Sequence, residues 1–89
     1  MNIHFKYNNK EEFYKLQDIL LELGYEWKYS GKRRIEYSNV YNEINLNTIH
    51  LKDTILILNF EEECMEFYKG KINKDDIESF IEARKLNIL

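Results

Sequence analysis

Basic and aromatic residues lie close together in one part of the sequence. Aromatic rings stack on nucleic-acid bases and cations pair with phosphates, so this combination meets the physical requirements of a nucleotide or single-stranded nucleic-acid site. The candidate ligand-binding residues are Tyr25, Trp27, Tyr29, Lys32, Arg33 and Arg34. We expect an arginine to matter more than Lys32, because its planar guanidinium group can form two parallel hydrogen bonds to a phosphate. A purely structural role is the more common explanation for aromatic residues that alternate along a strand.

The densest run of charge in the sequence is acidic. We call it the acidic strip, and it consists of Glu61, Glu62, Glu63 and Glu66. Residues 35–70 contain seven acidic and two basic residues, which gives this segment a net charge of −5. An acidic surface can complement the basic groove of a nucleic-acid-processing protein and accelerate association by electrostatic steering. The simpler alternative is a solvated surface without a partner.

The residue types that catalysis or metal binding requires are few. His4, His50 and Cys64 do not show the spacing of a metal site, and the three glycines stand singly rather than in a phosphate-binding loop. His50 could act as a base, but none of the candidate nucleophiles, Ser, Thr or Cys, lies in a recognised signature. We therefore expect a protein without enzymatic activity, metal or cofactor.

Length and composition indicate one folded domain. Residues 1–89 are 44% hydrophobic and 15% aromatic, and a chain of this length buries only a limited core. The net charge of −3 argues against a generic DNA-binding domain, which is usually strongly basic. A single cysteine, Cys64, cannot form an intramolecular disulfide, and neither an export leader nor a membrane span is recognisable. We therefore expect a cytoplasmic protein that does not associate with membranes.

The first helix has clear start and stop signals. Asn9 is expected to cap it, with Glu12 returning a hydrogen bond to the cap, and Gly24 is expected to end it in a left-handed conformation. The apolar face of this helix is wider than packing on one small sheet requires. We therefore expect a homodimer, with Tyr14 and Leu21 as candidate contacts.

Alternation of apolar and polar residues predicts most of the strands. These strands cover residues 3–7, 25–29, 32–37, 43–48 and 54–58, and the second and third are expected to form a hairpin that turns at Ser30 and Gly31. Residues 59–70 fit a helix and an edge strand about equally, and we favour the strand. The last helix is expected over residues 74–84, capped by Asn73 with Asp76 at its third position.

This order of elements predicts an α+β domain. We expect an antiparallel sheet of about five strands with the two helices packed on it. The expected core consists of Ile3, Phe5, Phe13, Leu16, Leu20, Leu23, Trp27, Ile44, Leu46, Ile55, Ile57, Ile77, Phe80 and Ile81.

The first third of the chain carries a recognisable pattern. A short strand is followed by the sequence NKEEF at residues 9–13, which opens a helix, and by LGYEW at residues 23–27, which leads into the next strand. In this the chain resembles small phage and prophage accessory proteins that share a KEEF-like helix start and a GYxW exit. The resemblance implies a non-enzymatic counter-defence protein, similar to anti-CRISPR proteins, that inhibits a host immune effector by direct binding in the host cytoplasm. The acidic strip would then meet a basic surface of that host defence protein. The alternatives are a sponge that sequesters an immune signalling nucleotide and a small single-stranded nucleic-acid-binding protein.

Overall fold

Two helices and five strands form the part of the chain that the structure describes. This structure is a computed structural model, and it describes residues 1–37, 47–58 and 66–87. In chain order the elements are β1 (Asn2–Lys6), α1 (Lys10–Glu22), β2 (Glu26–Trp27), β3 (Thr48–Lys52), β4 (Ile55–Leu58), β5 (Glu66–Tyr68) and α2 (Lys74–Asn87).

The five strands form one mixed sheet in the order β2-β4-β3-β1-β5. β3 pairs antiparallel with both β1 and β4, whereas the β1–β5 and β2–β4 pairs are parallel. The prediction of an α+β domain with two helices and five strands is confirmed. The prediction that the sheet is purely antiparallel is wrong.

The path of the chain explains why β2 and β4 pair in parallel. α1 carries the chain back along the sheet, so β2 runs in the same direction as β1. β3 runs opposite to β1, and β4 reverses the direction again, so β4 also runs the same way as β2. Two neighbouring strands with the same direction can only pair parallel. Alternation in the sequence predicts strands but does not say which strands become neighbours.

Both helices lie on the same face of the sheet. Trp27 of β2 contacts Gln17 of α1, and the ring of Tyr68 in β5 lies 5.0 Å from the ring of Phe80 in α2. Side chains alternate between the two faces of a strand, so the next residues along each strand point to the opposite face, which we call the second face. The fully buried residues between the sheet and the helices are Ile3, Phe5, Phe13, Leu16, Leu20, Ile49, Leu51, Leu56, Ile77 and Ile81.

The helix caps agree with the sequence signals. The Glu12 backbone N–H donates to Asn9 Oδ1 at 2.8 Å, and the Asp76 N–H donates to Asn73 Oδ1 at the same distance. Gly24 follows α1 with a φ of +102°, a left-handed conformation that a residue with a side chain rarely adopts. The expected return bond from Glu12 to the cap residue is not formed, because the Glu12 carboxylate accepts from Asn8 Nδ2, one residue before the cap, at 3.1 Å. No helix in the described ranges is both long and apolar enough to cross a membrane.

The predicted hairpin over residues 25–37 is wrong in its second half. β2 ends at Trp27, and residues 32–37, all of them described, contain no strand. The edge of β2 pairs with β4 instead of with this segment. The backbone N–H and C=O of Ile35 are both hydrogen-bonded to the side chain of Gln17, so this residue needs no strand partner.

Most of the predicted core that the structure describes is buried. The exceptions are half-buried, and they are Leu23, Ile55, Ile57 and Phe80. In β4 the neighbouring Leu56 fills the core instead, because it is the residue that faces the helices. Ile44 and Leu46 lie outside the described residues, as does most of the strand predicted over residues 43–48. Residues 66–68 of the ambiguous segment form a strand, and residues 59–65 lie outside the description.

Candidate functional site

A tight turn follows β2 and is fixed by backbone hydrogen bonds. The Trp27 N–H donates to the Gly31 C=O at 2.8 Å, and the Gly31 N–H donates back to the Trp27 C=O at 3.0 Å. The Lys28 N–H donates to the Leu56 C=O of β4 at 3.0 Å, which ties the turn to the sheet. Gly31 closes the turn with a φ of +63°. Such a turn fixes the backbone from which its outward-pointing side chain projects.

That side chain is Tyr29, and 89% of its surface is exposed. Three exposed cations lie close to it in the chain: Lys28 within the turn, and Lys32 and Arg33 directly after it, where the Arg33 N–H donates to the Ser30 C=O at 3.2 Å. The Lys28 ammonium group lies 5.5 Å from the centre of the Tyr29 ring. We call these four residues the Tyr29 turn. An exposed aromatic ring with cations on either side can stack a planar ligand and neutralise its negative charge.

The other predicted ligand-binding residues are not part of this surface. Tyr25 and Trp27 are buried, and the Trp27 indole N–H donates to Gln17 Oε1 at 2.9 Å. Arg34 forms an ion pair within the chain, in which its Nε lies 3.3 Å from Asp18 Oδ1. Of the six predicted residues, Tyr29, Lys32 and Arg33 are exposed at the turn or directly after it, whereas Tyr25 and Trp27 are buried and Arg34 pairs with Asp18.

Gln17 is a buried polar residue that the sequence analysis did not single out. Its side chain is fully buried in α1, where Oε1 accepts hydrogen bonds from Trp27 Nε1 and the Ile35 N–H, and Nε2 donates to the Ile35 C=O. These bonds hold the segment after the Tyr29 turn against the helix. The available signal was a single amide on an otherwise apolar face, four residues after Phe13 and three before Leu20.

The two candidate dimer contacts also take part in packing within the chain. The Tyr14 hydroxyl accepts a hydrogen bond from the Tyr37 N–H at 2.8 Å and donates to Glu36 at 3.0 Å. The guanidinium group of Arg34 lies 4.1 Å from the centre of the Tyr14 ring. Leu21 is half-buried and packs against the core. Self-association through these two side chains stays a prediction.

One member of the acidic strip lies in the described part of the chain. Glu66 belongs to β5, and both of its carboxylate oxygens accept hydrogen bonds from Arg84 Nε in α2 at 3.0 Å. This ion pair joins the edge strand to the second helix and keeps the carboxylate close to a cation. Glu61, Glu62 and Glu63 lie outside the described residues.

The two histidines, distant in sequence, lie side by side in the sheet. His4 and His50 are directly opposed in the β1–β3 ladder, and both side chains are buried on the second face. Burial lowers the pKa of His4 below its ordinary value of 6.5, and the neighbouring His50 lowers it further. Among the described residues, no group of three or more His, Cys, Asp or Glu side chains is arranged to hold a metal ion.

Comparison with known proteins gives this chain no relatives. No protein-family model matches the sequence, and no curated protein and no solved structure is significantly similar to it. An α+β domain presents an exposed aromatic and basic turn at one end of its sheet.

Proposed function

We propose that the protein is a non-enzymatic binding protein that contacts single-stranded nucleic acid through the Tyr29 turn. The observation that carries this proposal is the 89% exposure of Tyr29 on a turn fixed by reciprocal backbone hydrogen bonds. Rigid aromatic side chains on a surface lose little conformational entropy when a ligand covers them. Tyr29 combines an exposed ring with a backbone that the turn already fixes, so it is a favourable contact point.

The chemistry of the turn suits a chain of nucleotides. A base can stack on the face of the Tyr29 ring that the Lys28 ammonium group does not occupy, and such stacking contributes about 1–3 kcal/mol per base in single-strand-binding proteins. The guanidinium group of Arg33 can bind a phosphate with two hydrogen bonds, and the ammonium groups of Lys28 and Lys32 can pair with phosphates on either side. The same residues would bind DNA or RNA, because stacking and phosphate contacts do not depend on the sugar.

The net charge of the protein does not oppose this contact. In solution of about 0.1 M ionic strength, charges more than about 10 Å apart are largely screened from one another. The turn has three exposed cations, and the carboxylate of the exposed Glu26 lies beside Gly31, which leaves an excess of positive charge at this place. The local charge is therefore positive although the whole chain carries −3. We expect short-range contact without strong long-range steering.

The placement of the aromatic residues favours a strand over a single nucleotide. A nucleotide sponge needs a closed site, and Tyr25, Trp27 and Tyr29 were the expected walls of such a site. Because Tyr25 and Trp27 are buried in the core, only Tyr29 offers a ring to a ligand. One open ring with several cations fits an extended strand that contacts the surface at successive phosphates.

Replacing Tyr29 with Ala should weaken the binding of a fluorescently labelled oligonucleotide. With oligothymidylate and oligouridylate probes of about twelve nucleotides, we expect a loss of about 5- to 100-fold in affinity, because one stacking contact is removed. Fluorescence anisotropy titration measures this loss.

Lys32→Ala should weaken binding and reduce the slope of log Kd against log salt concentration by about one unit, because one phosphate contact is removed.

Two controls match these variants in chemistry. Leu86→Ala truncates another exposed apolar side chain, on α2, and Lys15→Ala removes an exposed lysine from α1. Both should bind the probes like the unchanged protein. If the unchanged protein does not bind either probe, or if Tyr29→Ala binds as tightly as the controls, the proposal is wrong.

A second proposal is the counter-defence inhibitor that binds a host immune effector through the acidic strip. What supports it is the charge of −5 in residues 35–70 and the resemblance of the first third of the chain to phage accessory proteins. Glu66, which is described, is held by Arg84 at the edge of the sheet. Because Arg84 already pairs with Glu66, this proposal assigns the negative charge that meets a basic partner surface to Glu61, Glu62 and Glu63.

Reversing the charge of Glu62 and Glu63 to Lys should slow association with such an effector and reduce the salt dependence of the association rate. Surface plasmon resonance against nucleic-acid-processing immune effectors measures both quantities. A double variant with Glu11→Lys and Glu78→Lys changes the net charge equally at two exposed helix positions, so it serves as the control. Equal association rates for the two double variants would remove the acidic strip from the mechanism.

A further inference from the structure

The centre of the second face contains two histidines in contact. His4 in β1 and His50 in β3 are register partners, and their ring centres lie 4.5 Å apart with the ring planes at 89°. Only 6% of the His4 surface and 0% of the His50 surface are exposed. An edge-to-face contact of this kind is the geometry of two neutral aromatic rings.

The neighbours of the pair are mainly apolar. Ile57 of β4 is the register partner of His50, and Phe67 of β5 is the register partner of His4, with its ring centre 5.2 Å from that of His4. Among the described residues, His4 Nε2 has no hydrogen-bond partner. The strip of side chains across the sheet therefore has an apolar residue at each end and two imidazoles in the middle.

The charged groups on this face of the described strands do not compensate a proton on the pair. Alternation places Lys6 of β1 and Lys52 of β3 on the second face, two positions along their strands from the histidines. Both are cations and would repel an imidazolium ion. β4 contributes only Ile and Leu, and Glu66 of β5 points to the helices, where it binds Arg84. β2 contributes the exposed Glu26, which is paired with Ile55.

We propose that the His4–His50 pair makes the packing between β1 and β3 sensitive to proton concentration. When both rings are neutral, they pack as an apolar pair within the sheet. When His4 takes up a proton, a charge appears in a buried ring beside the apolar Phe67, and the second face loosens. The proton comes from solvent and binds to a ring nitrogen, so the device needs no other reactant.

The direction in which pH changes the stability follows from the difference in proton binding between the folded and the unfolded chain. Because the pKa of His4 is lower in the folded protein than its ordinary value of 6.5, the unfolded chain binds more protons at mildly acidic pH. The stabilisation is fully present above the ordinary pKa and is lost as pH falls through the lower, folded value. Each additional proton bound by the unfolded chain multiplies the unfolding constant by about ten per pH unit.

Two measurements test the proposal. The first is an NMR titration of the His Cε1 protons of the unchanged protein, in which His4 should titrate below its ordinary pKa. The second is hydrogen exchange of backbone amides, corrected for intrinsic rates, at about pH 7 and about pH 5.5, where most Asp and Glu side chains are still ionised. Protection of the β1 and β3 amides should fall severalfold, up to about eightfold, which is the limit for one histidine between these two pH values, and protection of α1 should fall less.

A variant with His4→Phe and His50→Phe contains no histidine, because the chain has only these two. Its stability to urea should be independent of pH over the same range, and the edge-to-face contact can be kept by two phenyl rings. The proposal is overturned if His4 titrates at or above its ordinary pKa, or if the unchanged protein keeps its strand protection at about pH 5.5. The titration of the unchanged protein decides the question even if the variant does not fold.

Discussion

Replacing Gln17 with Leu should destabilise the protein by about 2–5 kcal/mol. The leucine side chain has a similar size, but it leaves the Trp27 indole N–H, the Ile35 N–H and the Ile35 C=O without the partner they have in the structure. A polar group that loses its partner on burial costs about 1–3 kcal/mol, and the Ile35 groups are only partly buried, so the sum lies below the maximum. Urea denaturation followed by Trp27 fluorescence measures the loss.

A double-mutant cycle separates this effect from a change in helix propensity. Trp27→Phe removes the indole donor, so Gln17→Leu should cost less when it is introduced into the Trp27→Phe protein than into the unchanged one. Lys15→Leu places the same leucine at an exposed position of α1 and should change stability by less than about 0.5 kcal/mol. A loss below about 1 kcal/mol for Gln17→Leu would show that the amide does not hold the segment as described.

Truncating Leu20 to Ala should also have a large effect, about 2–5 kcal/mol. Leu20 has 0% exposure on the face of α1 that packs on the sheet, so the truncation removes apolar contacts and leaves a cavity. Thermal or urea denaturation measures the change in the free energy of unfolding.

Leu86→Ala is the matched control for this truncation, because Leu86 lies on α2 with 68% of its surface exposed. The control should change stability by less than about 0.5 kcal/mol. If Leu20→Ala costs no more than the control, α1 is not packed on the sheet through this residue.

Features that depend on neighbours in sequence could be predicted. The caps at Asn9 and Asn73 each bond to a residue three positions later, and Gly24 ends α1 directly after its last apolar residue. The backbone groups that these residues cap lie within one turn of the helix, so a short stretch of sequence is enough to recognise them. The element types of β1, α1, β4 and α2 followed from the same local information.

Features that depend on distant partners could not be predicted. Residues 32–37 alternate like a strand, but Gln17, eighteen positions before Ile35, takes the hydrogen bonds that a strand partner would have received. The alternation of Tyr25, Trp27 and Tyr29 predicted one shared face. The chain turns directly after Trp27, so Trp27 is buried and Tyr29 is exposed.

The contact between His4 and His50 could not be predicted either, because it depends on the register in which β1 pairs with β3. His4 and His50 meet because Asn2 pairs with Lys52 and Lys6 with Thr48. A shift of one residue would place His4 opposite an apolar residue and turn its neighbours to the other face. The sequence alone does not specify that register, so it predicts two isolated histidines rather than a pair.

The parallel pairing of the two outer strands has a consequence for how the chain folds. Ile3 pairs with Glu66 and Glu26 pairs with Ile55, so each edge of the sheet joins segments that are far apart in the chain. Closing such long loops costs entropy before any contact compensates it, and proteins dominated by distant pairings fold in milliseconds to seconds rather than in microseconds. On the ribosome, β1 and α1 emerge long before their partners. The buried surface of α1 must therefore stay unprotected until β3 and β4 have been synthesised, and β5 can complete the sheet only after them.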